Sequence, residues 1–152
     1  MLAMKTSKKI NDMIKAWEGC RLKAYKCPAG IWTIGYGHTA GVYAGMTITQ
    51  KQADDLFQKD IDAFALQVTR ILNENSVTLR QCQFDALTSF AYNVGIGNLK
   101  RSTLFKKVKT NPNDLLIASE FAKWNKGGGK VLPGLVKRRA AEAKLYFSWC
   151  QK

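Results

Sequence analysis

The chain has 152 residues, 46% of them hydrophobic, and a formal net charge of +13. That length supports one globular domain with a sizeable core rather than two, and the composition excludes a disordered chain. No run of about 18 apolar residues exists, so nothing in it spans a membrane, while the charge predicts attraction to a polyanion such as nucleic acid, an anionic membrane or bacterial cell wall.

The first residues, Met1-Leu2-Ala3-Met4-Lys5, offer no apolar stretch of signal-peptide length before the polar segment Lys5 to Lys9, so no export signal is visible. Ile10, Met13, Ile14 and Trp17 then follow the spacing of a helix with one buried face. Ser7 fits its N-cap and Gly19 its stop, which leaves Glu18 in the last turn. Leu22, Ala24 and Tyr25 lead into the turn signal Pro28-Ala29-Gly30, and Ile31-Trp32-Thr33-Ile34 completes a strand-turn-strand pattern. Gly35, Gly37, Gly41 and Gly45 keep the next segment loop-like.

Thr49 with Gln52 reads as a capping box, and a long helix follows with Ala53, Leu56, Phe57, Ile61, Phe64, Val68, Ile71 and Leu72 on one face. Its length suggests a bridge between two lobes. Thr78 and Gln81 repeat the capping pattern before a helix carrying Cys82, Ala86, Leu87, Phe90, Ala91 and Val94, which stops at Gly95-Ile96-Gly97. A short helix is expected from Ser102. Asn113 is placed to cap a helix containing Leu116, Phe121, Ala122 and Trp124. Gly127-Gly128-Gly129 breaks the chain, and a last helix is expected from about Gly134 to Cys150. The expected architecture is α+β, a small hairpin lobe over about residues 8–50 and a helical lobe over about 51–152 of one domain, with a cleft between them.

Cys20, Cys27, Cys82 and Cys150 form no C-x-x-C pair and have no histidine at zinc spacing, so no metal site is expected. Cys82, on an apolar helix face, reads as a small core residue. Without an export signal all four read as thiols by default, although Cys20 and Cys150 would meet if the terminal helices packed together. The lysines are scattered rather than gathered into an aromatic-interleaved stripe, which weakens a single-stranded nucleic acid reading.

Three chemical groups stand at fixed spacing: Glu18, then eight residues, Cys27, then five residues, Thr33. The segment Gly35-Tyr36-Gly37-His38 follows directly. This pattern resembles the active-site hairpin of the phage-type lysozymes, muramidase endolysins in which Asp or Cys stands between Glu and Thr. Downstream, Gln83 to Gly95, Ser102-Thr103-Leu104 and Pro133-Gly134-Leu135-Val136-Lys137-Arg138-Arg139-Ala140-Ala141-Glu142 resemble further signatures of that family, so the likeness covers about residues 8–150. It implies hydrolysis of the β-1,4 bond between N-acetylmuramic acid and N-acetylglucosamine, with Glu18, Cys27 and Thr33 as the catalytic set and no cofactor. It also implies substrate contacts from Asn93, Gly95, Tyr36 and Arg138, the last pairing with peptide carboxylates or capping a loop together with Arg139.

The chemistry of these positions is consistent with that implication. Glu18 sits where helix carbonyl ends and neighbouring apolar side chains both favour a protonated carboxyl, as a general acid requires. Cys27 could orient water, act as a thiolate base or attack the sugar carbon, and Thr33 could hold the same water. His38 is expected behind the hairpin in a structural role, in preference to a Cys27–His38 thiol hydrolase. The resemblance further implies a monomer with peptidoglycan as partner, no nucleic acid and no stable membrane insertion. It implies a cytoplasmic enzyme that waits for a separate holin-like pore. The competing classes are a lytic transglycosylase acting on the same bond and a non-enzymatic basic protein that binds cell wall or nucleic acid.

Overall fold

A computed structural model describes residues 3–149. The first helix, α1 (Lys8–Glu18), is capped by Ser7, whose hydroxyl accepts from the Ile10 amide, and it stops at Gly19 with φ 69°. That left-handed conformation suits a residue without Cβ, so the chain turns immediately after Glu18. Strands β1 (Arg21–Lys26) and β2 (Trp32–Gly35) pair antiparallel, with Tyr25 opposite Thr33 and an irregularity between Arg21 and Tyr25. The turn closes with the Gly30 amide donating to the Cys27 carbonyl at 2.8 Å.

Helix α2 (Gln50–Glu74) begins at the expected box: Thr49 and Gln52 satisfy each other's backbone amides. Twenty-five residues at about 1.5 Å each give a rod of about 37 Å. Its first turns pack on the hairpin, where Ala53 meets Gly35, and its later turns enter the helical lobe. Helix α3 (Gln81–Val94) is the axis of that lobe and is buried continuously from Cys82 through Ala91. Around it lie α4 (Ile96–Arg101), α5 (Thr103–Thr110), α6 (Ile117–Ala122) and α7 (Pro133–Tyr146). Ile10 and Ile14 from α1, Phe57 and Ile61 from α2, Phe84, Leu87 and Phe90 from α3, Phe121 from α6 and Tyr146 from α7 form one core. The α+β expectation therefore holds, with α2 running between hairpin and helices.

Several expectations are corrected. Thr78 does not cap α3. Arg80 occupies the cap position, and its amide donates to Gln83 Oε1 at 2.9 Å. Gln81 instead binds the Lys5 carbonyl and Asp85, tying the N-terminal segment to α3. Helix α3 stops at Gly95 as expected, but a further, unexpected helix, α4, begins directly after it. Asn113 caps nothing; Asp114 Oδ1 accepts from the Leu116 amide at 2.9 Å and starts the turn into α6. The Gly127 to Gly129 break is a hairpin, with β3 (Lys126–Gly127) paired to β4 (Lys130–Val131). Helix α7 ends at Tyr146, short of the expected limit. Cys82 is buried as expected, but it is disulfide-bonded rather than a thiol. Cys20 is a free thiol, so it makes no bridge, and Cys150 lies outside the described residues. Among the described residues no helix is long and apolar enough to cross a membrane.

Candidate active site

Because α1 stops at Gly19, Glu18 projects from a fixed helix end toward the hairpin and α3. Gly37, at φ 88°, lets the turn after β2 come up to it: a Cβ there would lie 3.5 Å from Glu18 Oε1. Glu18, Cys27 and Thr33 line one cavity of about 420 Å³, together with Tyr25, His38, Asp60, Phe64, Tyr92 and Asn93. A second cavity of about 400 Å³ continues past Glu18 and Asn93, walled by Trp17, Leu132, Leu135 and Arg138. Glu18 and Asn93 border both spaces, so the acid stands partway along a groove. A site that cuts within a polymer needs that shape.

The carboxyl of Glu18 is one-fifth exposed, and Arg138 Nη1 donates to its Oε2 at 3.2 Å. The Arg138 guanidinium lies 5.0 Å from the Trp17 ring centre, a cation–π contact that holds its plane. Its Nη2 donates to the Ser89 carbonyl at 3.1 Å. Across the cavity, the Cys27 thiol is held below its ordinary range, first by hydrogen bonding from the Ile31 backbone, then by Ala29 and Thr33, against the opposing effect of burial. Thr33 is buried, and its hydroxyl donates to the Ile31 carbonyl at 2.9 Å.

His38 has both ring nitrogens engaged, Nδ1 with Asp60 Oδ2 at 2.7 Å and Nε2 with the Ala40 carbonyl at 2.9 Å. Both partners accept, so the ring is locked between the loop and α2 and has no hydrogen bond to Cys27. Tyr92 donates to the Tyr36 carbonyl at 2.6 Å; burial first, then the charge of Glu18, pushes its phenol well above the usual range.

The residues expected to bind substrate divide. Asn93 borders both cavities, and its Oδ1 accepts from Arg139 Nη2. Arg138 lines the second cavity but is almost fully buried and occupied by Glu18, Ser89 and Glu142. Tyr36 turns its ring onto Phe57 and its hydroxyl to Asp54 and Gln50, outside the lining of either cavity. Gly95 ends α3 at φ 95° and lines neither. Sequence reasoning missed Asp60, Phe64 and Tyr92 in the cleft wall. Phe64 stands on the apolar face of α2, where its ring meets Tyr92 at 5.3 Å. Asp60 could have been sought as the acceptor that His38 needs.

The sequence profile described as phage lysozyme matches residues 15–142. The endolysin of Acyrthosiphon pisum secondary endosymbiont phage 1 is 46% identical over 151 residues, covering 95% of this chain and 99% of that protein. The endolysin of Bacillus phage PZA is 45% identical over 144 residues, covering 93% of this chain but only 54% of that protein. The muramidase domain of SpmX from Asticaccaulis excentricus superposes with a TM-score of 0.81 at 34% identity, covering 95% of this chain and 98% of that one.

Proposed function

The chain belongs to the phage lysozyme family, and from that membership we propose that it hydrolyses peptidoglycan between N-acetylmuramic acid and N-acetylglucosamine with Glu18 as general acid. The observation that carries this reading is the single groove lined by Glu18, Cys27 and Thr33. Glu18 gives its proton to the glycosidic oxygen, so the N-acetylglucosamine leaves as an alcohol. Positive charge develops at the anomeric carbon of the muramic residue. A water on the Cys27 side adds to that carbon and gives its proton to the Cys27 thiolate. Thr33 orients this water through the hydroxyl lone pairs left free by its donated bond. Asn93 steadies the sugar where the two cavities meet, and the peptide stems of the substrate face the basic outer surface. The enzyme acts as a monomeric domain, reaching the wall from the cytoplasm through a pore made by another protein.

Mass spectrometry of soluble products from purified peptidoglycan tests the reaction. Free reducing muramic ends, absent when Glu18→Gln is used, are expected. Anhydro-muramic ends would replace hydrolysis with transglycosylation, and a fully active Glu18→Gln enzyme would remove Glu18 as the acid.

A further inference from the structure

One buried carboxylate holds two arginines, and each arginine reaches a different functional group of the cleft. Glu142 on α7 has no exposed surface. Arg138 Nε lies 3.4 Å from Glu142 Oε2, while Nη1 of the same guanidinium reaches Glu18. Arg139 Nη1 lies 3.1 Å from Glu142 Oε1 as an ion pair without hydrogen-bond alignment, while its Nη2 donates to Asn93 Oδ1. Ser89 on α3 donates to Glu142 Oε2 at 2.5 Å and ties the cluster to the central helix. Positions 138, 139 and 142 share one face of α7 because residues three and four apart are helix neighbours.

We propose that Glu142 is a positioning residue for the reaction proposed above, setting the Glu18 carboxyl through Arg138 and the Asn93 amide through Arg139. It touches no substrate. A charge this deep persists only when paired, and here it is paired twice, so its position is fixed more tightly than a single contact would fix it. Arg138 divides its charge between Glu142 and Glu18. Without Glu142 its full charge would fall on a carboxyl that must carry a proton to act. Arg139, anchored at one nitrogen by Glu142, has the other aimed at Asn93. Burial pushes the Glu142 carboxyl above its ordinary value, with Arg139 and then Arg138 acting against this. The charged and titratable groups facing Glu18 are Arg138 from α7, Tyr92 from α3, His38 after β2 with Asp60 of α2 behind it, and Cys27 at the hairpin turn. Those facing Glu142 are Arg138 and Arg139 of its own helix.

The proposal rests on Glu18 being the acid, so Glu18→Gln is measured beside it. Steady-state hydrolysis of soluble uncross-linked glycan strands is followed across pH per folded enzyme, with folding checked by near-UV circular dichroism. In Glu142→Gln, kcat is expected to fall about tenfold. The alkaline limb of its pH profile is expected to move down by about one pH unit, because uncompensated Arg138 favours the Glu18 carboxylate. Glu142→Asp keeps the charge and should return the limb toward its original position. Arg139→Lys should raise KM about fivefold, the scale of one lost hydrogen bond, with the limb unmoved. If Glu142→Gln does not fold, Arg139→Lys decides, and an unchanged KM there overturns the proposal. A folded Glu142→Gln enzyme with the original limb and kcat overturns it as well. An active Glu18→Gln enzyme overturns instead the acid role on which it rests.

Discussion

At the scale of single residues, the cleft sets a carboxyl against a thiol. The two sit in different environments. Glu18 is partly buried beside a guanidinium that is itself fixed by Trp17, Ser89 and Glu142. Cys27 stands at a turn whose backbone and hydroxyl stabilise a thiolate. The sign of that stabilisation gives a direct test. Because hydrogen bonds to the charged form lower a pKa, Cys27 should alkylate with a pH midpoint below that of an ordinary thiol. Removing one donor in Thr33→Val should raise the midpoint. Iodoacetamide labelling read by mass spectrometry, with free Cys20 as internal reference, checks both statements. A midpoint for Cys27 at or above that of Cys20 would sink the thiolate-base role. The same role predicts that Cys27→Asp stays active, since a carboxylate also accepts the water's proton, while Cys27→Ala loses about a hundredfold in kcat.

At the scale of elements, the position of Glu18 depends on the far end of its helix. Ser7 accepts from the Ile10 amide at 3.3 Å and donates to Asp85 Oδ2 at 2.5 Å, while its own amide donates to Asp85 Oδ1 at 3.1 Å. One serine thus caps α1 and pins it to the buried carboxylate of α3. Ser7→Ala removes the cap and leaves Asp85 short of a donor, so it should lower stability by about 1–2 kcal/mol in urea denaturation. Glu18 lies at the opposite end of the helix, so the folded variant should keep its kcat; a large loss of kcat without loss of stability would contradict this division. Which elements the sequence makes legible follows from such local chemistry. Caps at Ser7, Thr49 and Ser102 act on amides three residues away, and their signature is written in adjacent residues. The β3–β4 hairpin is not legible because strands of two residues carry no periodicity. Helix α4 is hidden because Gly95 ends one helix and begins the next. Thr78 misleads because a tertiary contact, Gln81 to the Lys5 carbonyl, takes the side chain that a local box would use. In the site, Glu18, Cys27 and Thr33 are legible by spacing, whereas Asp60 and Tyr92 arrive from α2 and α3 through tertiary packing. The Cys82 disulfide is likewise a tertiary fact that spacing does not encode.

At the scale of the whole molecule, charge is distributed unequally between interior and surface. The sequence has 11 acidic residues and 24 lysines and arginines; among the described residues, Asp85, Glu120 and Glu142 of the former are buried, and Arg138 and Arg139 of the latter. Folding therefore hides a larger share of the negative groups and leaves an exterior more one-sided than the composition. Such a surface raises the local concentration of the protein at an anionic polymer without needing a specific contact. Its range is the screening length, about 10 Å at 0.1 M salt and about 3 Å at 1 M. Interactions inside the groove are short and partly shielded from solvent, so salt should act on the approach to the wall and not on the chemistry. Lysis of whole peptidoglycan sacculi should thus fall steeply between low and high ionic strength, while cleavage of short soluble glycan strands at saturating concentration changes little. Equal salt dependence for the two substrates would place the effect in the groove itself. Salt-independent lysis of sacculi would mean that the basic surface does not assist capture, and that the groove alone supplies the affinity for the wall.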